Sequence, residues 1–146
     1  MTYFFRSLGA VAFCLLFAGS ALAADAAHKL AIHVDENDPA VMNLALNNAK
    51  NVQSYYAAKG ETVAIEVIVY GPGLKMYTAD SPVKDRISAM SLEHENLIFA
   101  ACSNTLAAME RKKGAKVELL SEATMVPSGV VRLIELQEQG YSYVRP

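Results

Sequence analysis

The feature that most constrains this fold is a regular alternation of strand-like and helix-like segments. Gly60, Gly114 and Gly140 each follow a stretch with helical spacing of apolar residues, and a strand-like stretch begins within a few residues of each. Glycine readily adopts the left-handed backbone conformation with which many helices end. Repeated β-α units with short connections predict right-handed crossovers and a parallel sheet covered by helices on both faces. We therefore expect an α/β protein, a three-layer α/β/α sandwich with a five-stranded parallel sheet.

The apolar patterns and turn residues place the elements. Asp38-Pro39 predicts the cap and first residue of a first helix, and Ser81-Pro82 predicts the same start for a second helix. A third helix is expected at 105–113, and a last helix after a Ser128 cap. Segments 71–80 and 121–127 are predicted to be loops. The five strands are expected at 29–35, 62–70, 97–101, 117–120 and 141–144.

The first 23 residues are predicted to be a secretory signal peptide, which leaves one domain at 24–146. Arg6 supplies a positive N-terminal region, residues 8–18 form a short apolar run, and Ala21-Leu22-Ala23 has the small residues of a cleavage site. The apolar run is too short for a typical membrane-spanning helix. We therefore expect an exported, periplasmic protein that makes no membrane contact after cleavage. An uncleaved N-terminal anchor is the alternative.

Charge and cysteine content narrow the classes of function. The formal net charge of the chain is −2, and loss of Arg6 makes it one unit more negative. This mild acidity argues against nucleic acid as a partner, because nucleic-acid binding needs a clustered basic surface. Cys14 leaves with the signal peptide, so Cys102 is the sole thiol of the domain and has no partner for an internal disulfide. In an oxidising compartment such a thiol is buried and inert, paired with another chain, or used chemically.

The candidate site lies at the carboxyl edge of the predicted sheet, where open parallel sheets bind their ligands. Cys102 is the candidate catalytic residue, because it follows the third strand and precedes the third helix. A helix start lowers the pKa of a thiol, and the thiolate is the nucleophilic form. We expect the sulfur to be reachable from solvent and polarised by neighbouring amides. The candidate substrate-binding residues at this edge, where helix N-termini favour an anion, are Ser103, Asn104, His33, Asn37, Gly71 and Ser128.

Simpler structural interpretations stay open at several of these positions. Free cysteine is among the most buried residue types, His33 is typical of a hydrogen-bonded core histidine, and Gly71-Pro72-Gly73 is typical of a turn. The chain has no CxxC pair, no phosphate-binding loop and no GxGxxG pattern. Its histidines, His28, His33 and His94, lack the spacing of metal ligands. We therefore expect neither a metal nor a cofactor.

The sequence resembles the DsrE/DsrF-like family of small sulfur-relay proteins over nearly the whole of residues 24–146. The order and spacing of several short segments carry the resemblance: Lys29-Leu30-Ala31-Ile32-His33-Val34 with Asn37-Asp38-Pro39, Val67-Ile68-Val69-Tyr70-Gly71-Pro72-Gly73, Phe99-Ala100-Ala101-Cys102-Ser103-Asn104-Thr105, Val126-Pro127-Ser128-Gly129-Val130-Val131 and Leu136-Gln137-Glu138-Gln139-Gly140-Tyr141.

The resemblance implies the same parallel sandwich, assembled as a homotrimer, a hexamer or a hetero-complex. It also implies that Cys102 occupies the place of the cysteine that carries sulfur as a persulfide. The best understood relay members are cytoplasmic, so an exported member must use a different sulfur donor and acceptor.

Three functions remain as hypotheses. In the first, Cys102 accepts sulfane sulfur from a protein or small-molecule donor and passes it to a partner thiol, with Ser103, Asn104 and the helix start stabilising the anion. In the second, the protein is a non-enzymatic oligomeric binding or assembly module in which Cys102 is a buried structural residue. In the third, the protein is a redox sensor that oxidises Cys102 or links two chains through it.

Overall fold

The computed structural model describes residues 26–146, and the predicted signal peptide lies outside these residues. The elements form one α/β unit, and the 3-10 helix at Gly71–Tyr77 is its one short helical turn within this range. The strands and α-helices are β1 (His28–Val34), α1 (Pro39–Ala57), β2 (Val63–Val69), α2 (Lys84–Glu93), β3 (Leu97–Cys102), α3 (Ser103–Lys113), β4 (Ala123–Val126), α4 (Gly129–Glu138) and β5 (Ser142–Val144).

The five strands form one parallel sheet in the order β4-β3-β2-β1-β5. Helices α1, α2 and α3 connect neighbouring strands, and their apolar side chains pack with one face of the sheet in the larger core cluster. Helix α4 instead carries the chain from the β4 edge to the β5 edge across the other face, where Leu133 and Leu136 pack on Ala31, Ile68 and Ala100. The expected three-layer α/β/α sandwich with five parallel strands is confirmed.

The start of α1 follows the sequence prediction. Asp38 is its N-cap and accepts a hydrogen bond from the Ala40 N–H at 2.7 Å, with Pro39 at the first position. The buried face then repeats at helical spacing through Met42, Leu46 and Ala49. The prediction for α2 was two residues early: Ser81 Oγ accepts from the Val83 N–H at 3.2 Å in a turn, and the helix begins at Lys84.

The segment predicted as a loop at 71–80 contains the 3-10 helix, which is buried rather than exposed. Leu74, Met76 and Tyr77 enter the core, and the Tyr77 hydroxyl donates to the Val67 carbonyl at 2.8 Å. Gly73 permits this packing, since a Cβ on it would lie 2.3 Å from the carbonyl oxygen of Val34. The 3-10 helix is therefore packed into the core directly after β2, next to the carboxyl edge of the sheet.

The prediction of the fourth strand was wrong. Segment 117–120 lies outside the sheet, where Leu119 forms an antiparallel bridge with Thr78 and the Leu120 N–H donates to the Tyr77 carbonyl. The sheet strand is β4, in the segment predicted to be a loop, and it pairs with β3 through Cys102 opposite Val126. Leu119 and Leu120 still pack against the core, which explains the apolar pattern without a sheet strand.

Candidate functional site

Cys102 ends β3 and caps α3. Its Sγ accepts a hydrogen bond from the Thr105 N–H at 3.4 Å, so the sulfur takes the place of the oxygen that usually caps a helix. Because side chains alternate along a strand, Cys102 faces the same side of the sheet as Ala100, which is the side covered by α4. The thiol therefore lies where β3, the start of α3 and the start of α4 meet.

The start of α4 brings a second set of donors to the sulfur. The Gly129 N–H lies near the sulfur and lowers the pKa of Cys102, as do the Thr105 hydroxyl and the amides of Asn104 and Thr105. Gly129 is itself buried against Tyr70, and a Cβ on it would lie 2.7 Å from Tyr70 Cδ1. Only a residue without a side chain therefore lets α4 begin this close to the sulfur.

These donors decide the acidity of the thiol. Burial alone would raise the pKa of Cys102, but the hydrogen bonds from Thr105, Gly129 and Asn104 outweigh it, and the pKa is lowered from its ordinary value. The expected polarisation by amides is present. The expected exposure is not, since Cys102 is only 4% exposed. The sulfur is buried beside several hydrogen-bond donors, which together favour a negative charge there.

A cluster of His33, Tyr70 and Tyr143 lies beside the thiol on the same side of the sheet. The rings of His33 and Tyr70 stack with centroids 4.5 Å apart, and His33 Nδ1 hydrogen-bonds Tyr143 Oη at 2.8 Å. Burial and the nearby charges of Asp35, Tyr143 and Cys102 raise the pKa of Tyr70, so its ring is a neutral phenol at neutral pH. Tyr70 is therefore stacked on the imidazole and is also close enough to Cys102 to interact with it electrostatically.

His33 has one nitrogen without a hydrogen bond. The residue is 4% exposed, and its buried Nε2 has no hydrogen-bond partner among the described residues. Asp35 Oδ2 lies 3.9 Å from Nε2, and Arg145 donates to Asp35 Oδ1 at 3.0 Å. Burial lowers the pKa of His33 below its ordinary 6.5, Asp35 opposes this and Arg145 adds to it. His33 is therefore a neutral buried imidazole, as the core-histidine alternative predicted, but an incompletely hydrogen-bonded one.

A groove of about 590 Å³ opens on the other side of Thr105. One wall is a stripe of α3, and the opposite wall is the start of the 3-10 helix with the loop after β1. Thr105 belongs both to the groove and to the thiol, since its hydroxyl accepts from the Gly71 N–H at 3.0 Å and hydrogen-bonds Cys102. The residues that line the groove are Asn37, Gly71, Pro72, Lys75, Asn104, Thr105, Ala108, Met109 and Lys112.

The structure divides the predicted site residues between these two places. His33 and Ser128 lie on the α4 side with Cys102, and Asn37, Gly71 and Asn104 line the groove. Ser103 is the half-buried first residue of α3. Ser128 occupies the N-cap position of α4, but its side chain makes no capping hydrogen bond. Ser128 borders a small cavity of about 140 Å³ between β4 and α4.

Sequence reasoning missed four residues around the sulfur. Thr105 had a signal, because a cap side chain bonds the amide three residues later, and Cys102 stands three residues before Thr105. Tyr70 and Gly129 lie in the segments quoted for the family resemblance, but nothing local shows that they touch. Tyr143 had no signal, because its approach to His33 depends on β5 pairing with β1.

Two further properties of the described residues concern metal binding and membrane-spanning helices. No group of three or more His, Cys, Asp or Glu side chains within residues 26–146 is arranged to hold a metal ion. None of the helices in this range combines the length and apolar character that a membrane span requires.

Comparisons with known proteins relate the chain to a protein of known structure. No family model matches the sequence, and no curated protein matches it. Among solved structures, the chain is similar to MTH1491 from Methanobacterium thermoautotrophicum, a protein of unknown function, with 31% sequence identity and a TM-score of 0.70. The match covers 82% of this chain and 99% of MTH1491. The chain therefore belongs to the same protein family as MTH1491.

Proposed function

We propose that the protein is a sulfur carrier of the DsrE/DsrF-like type, in which Cys102 holds sulfane sulfur as a persulfide and passes it to a partner thiol. The observation that carries this proposal is the convergence of donors from two helix starts, α3 and α4, on one sulfur. Capping of α3 accounts for the Thr105 amide donor on a structural cysteine, whereas the further donors, the Thr105 hydroxyl and the amides of Asn104 and Gly129, would stabilise a thiolate or a perthiolate. The family resemblance supports the same role for Cys102.

The transfer balances without an oxidant. The Cys102 thiolate attacks the terminal sulfur of a donor persulfide, a new S–S bond forms on Cys102, and the donor leaves as its thiolate. In the second step the thiolate of the acceptor attacks the outer sulfur of the Cys102 persulfide and takes it, and Cys102 returns as a thiolate. The N–H groups of Thr105 and Gly129 stabilise the anion that is present before and after each step.

The burial of Cys102 requires an opening for the donor. Gly129 is buried, but the next two residues of α4, Val130 and Val131, are 52% and 48% exposed. The first turn of α4 is anchored at Gly129 and at Arg132, which pairs with the buried Glu66, and we propose that a small outward motion of the start of this turn, before Arg132, admits the donor sulfur. Opening and closing of a weakly packed turn is a low-energy event compared with global unfolding.

The test is the intact mass of residues 24–146, in which Cys102 is the sole cysteine. Wild-type protein exposed to a glutathione persulfide donor is expected to gain the mass of one sulfur atom and lose it to dithiothreitol. Cys102→Ala is expected to gain nothing. A wild-type protein that never gains sulfur, or a Cys102→Ala variant that gains as much, contradicts the proposal.

The low exposure of Cys102 favours a second candidate function, a non-enzymatic binding or assembly module with a structural cysteine. The two candidates differ in the reactivity of the native thiol. Alkylation by iodoacetamide in native buffer at a rate that follows the pKa of Cys102 supports sulfur transfer. Alkylation only after denaturation supports the binding module.

We also propose that the protein is exported to the periplasm and forms a homotrimer or hexamer, as the signal peptide and the family resemblance suggest. Val130, Val131 and Ile134 on α4 are each about half exposed, and such apolar side chains are typical of protein interfaces. Light scattering after size exclusion measures the assembly, and Ile134→Glu is expected to weaken it. A wild-type monomer at high concentration contradicts this proposal.

A further inference from the structure

The groove between α3 and the 3-10 helix is separate from the sulfur and has a chemistry of its own. Cys102 does not line it, and Thr105 stands between the two. A ligand in the groove therefore lies beside the thiol without reaching the sulfur atom. Whatever binds there is not the partner in the atom-transfer step, and its binding does not depend on sulfur chemistry.

The groove is long and changes character along its length. Asn104 and Lys112 are eight residues apart on α3, which corresponds to about 12 Å along a helix axis. The amide side chains of Asn37 and Asn104 lie at the end near Thr105. The middle is apolar, with Ala108 and Met109 on one wall and Pro72 on the other.

The far end of the groove is cationic. Lys75 and Lys112 both line the groove, and no acidic residue does, although the chain as a whole carries a formal charge of −2. Lys75 is paired with Asp80, which offsets its charge. Lys112 takes part in none of the ion pairs found within residues 26–146, so its charge is available to a ligand.

We propose that this groove binds a small amphiphilic anion, a molecule with a short apolar body and one acidic group. The acidic group pairs with Lys112, and with Lys75 where Asp80 releases it. The apolar body covers Ala108, Met109 and Pro72. A polar atom at the other end of the ligand accepts from Asn37 or Asn104. Charge complementarity and an apolar middle are the features that select such a ligand over an inorganic anion or a neutral apolar molecule.

The test uses two probes of the same shape and different charge. 1-Anilinonaphthalene-8-sulfonate carries a sulfonate, and N-phenyl-1-naphthylamine has nearly the same apolar body without a charge. Wild-type protein is expected to bind the sulfonate in a saturable manner and more tightly than the neutral probe. Amide NMR shifts on titration are expected at Gly71, Lys75, Asn104 and Met109.

Matched variants locate the charge. Lys112→Gln is expected to weaken sulfonate binding about two- to fivefold, the effect of losing one exposed ion pair, and to leave binding of the neutral probe unchanged. Arg111→Gln is the control, since Arg111 is the neighbouring cation and does not line the groove. Equal binding of the two probes, equal weakening by both substitutions, or NMR shifts confined to Val130, Val131 and Ile134 would overturn the proposal.

Failure of the groove proposal and failure of the sulfur-carrier proposal are distinguishable. In the first case the groove binds no probe while Cys102 gains sulfur, and in the second the groove binds the probe while Cys102 gains none. The probe titrations read the groove in a Cys102→Ala protein as well as in wild type. The mass experiment reads the thiol with no probe present. Each proposal is therefore tested by its own measurement.

Discussion

Gly129 packs against Tyr70 so closely that a Cβ on Gly129 would lie 2.7 Å from Tyr70 Cδ1 and 3.0 Å from Tyr70 Cβ. Tyr70 has little freedom to move away, because its ring is stacked on the buried imidazole of His33. The same approach brings the Gly129 N–H to the sulfur of Cys102. The packing of one ring on one glycine thus sets the distance between α4 and the thiol.

Gly129→Ala is therefore expected to push the start of α4 away from β3 and to raise the pKa of Cys102. The pH at which iodoacetamide alkylation reaches half its maximal rate should move upward, and the overpacked site should lose about 1–3 kcal/mol of unfolding free energy. Val130→Ala is the matched control, since Val130 is exposed on the same turn. Unchanged alkylation in Gly129→Ala would show that the Gly129 amide does not act on the sulfur.

Thr105→Val removes a hydroxyl that serves two partners. The pKa of Cys102 is expected to rise, because the thiolate loses a side-chain hydrogen bond. The Gly71 N–H is left without its acceptor, and the protein should lose about 1–3 kcal/mol of stability. Thr105→Ser keeps the hydroxyl and is expected to restore the alkylation profile. If Thr105→Ser behaves like Thr105→Val, the methyl group rather than the hydroxyl matters.

His33 makes stability depend on pH. Its folded-state pKa lies below the ordinary value of 6.5 because of burial, so the unfolded chain takes up a proton first as the solution is acidified. The stabilising contribution of neutral His33 is complete above pH 6.5 and is lost as the pH falls below that value. His33→Phe keeps a ring to stack on Tyr70 and has no titratable nitrogen. Urea unfolding between about pH 7.5 and pH 5 should show a smaller loss of stability in His33→Phe than in wild type. Parallel curves for the two proteins would contradict this.

The pair of Glu66 and Arg132 holds α4 on the sheet. Arg132 Nε and Nη2 each donate to a carboxylate oxygen of Glu66 at 2.7 Å, and Glu66 is 1% exposed. Arg132→Met leaves this buried carboxylate without its partner and is expected to cost about 3–5 kcal/mol. The double variant Glu66→Leu/Arg132→Met removes the charge as well and is expected to recover much of that loss. Urea unfolding of the four proteins in the cycle measures the coupling, and additive losses would mean that the pair contributes nothing.

The layer order of the fold was accessible from the sequence because it depends on local signals. Asp38 caps α1 with Pro39 at its first position, and Gly114 ends α3 at a φ of 68°. The fourth strand was not accessible. Residues 117–120 carry three apolar side chains, as β4 does, but the segment pairs with the chain after the 3-10 helix, and Leu119 and Leu120 pack on the core from there. β4 is a short edge strand with little burial, so its pattern is weak.

The candidate site was accessible in part. A cysteine between a strand and a helix identifies the thiol, and Asn104 follows from the same position. The sequence did not predict that the site is divided between the two faces of the sheet. This division depends on which face the Cys102 side chain points to and on which face α4 covers. Tyr143 reaches His33 only because α4 crosses to the far edge and β5 pairs with β1. Strand order is a property of the whole chain, and no short segment encodes it.

The long crossing made by α4 has a consequence for when the sulfur becomes reactive. The Gly129 amide reaches Cys102 only when α4 is packed across the sheet. A chain in which α4 has not yet docked keeps the donors of α3 but lacks this amide, so its thiol is less acidic than in the native fold. The acidity of Cys102 is therefore completed by the packing of the last helix, and a chain misassembled in that region carries a less acidic cysteine.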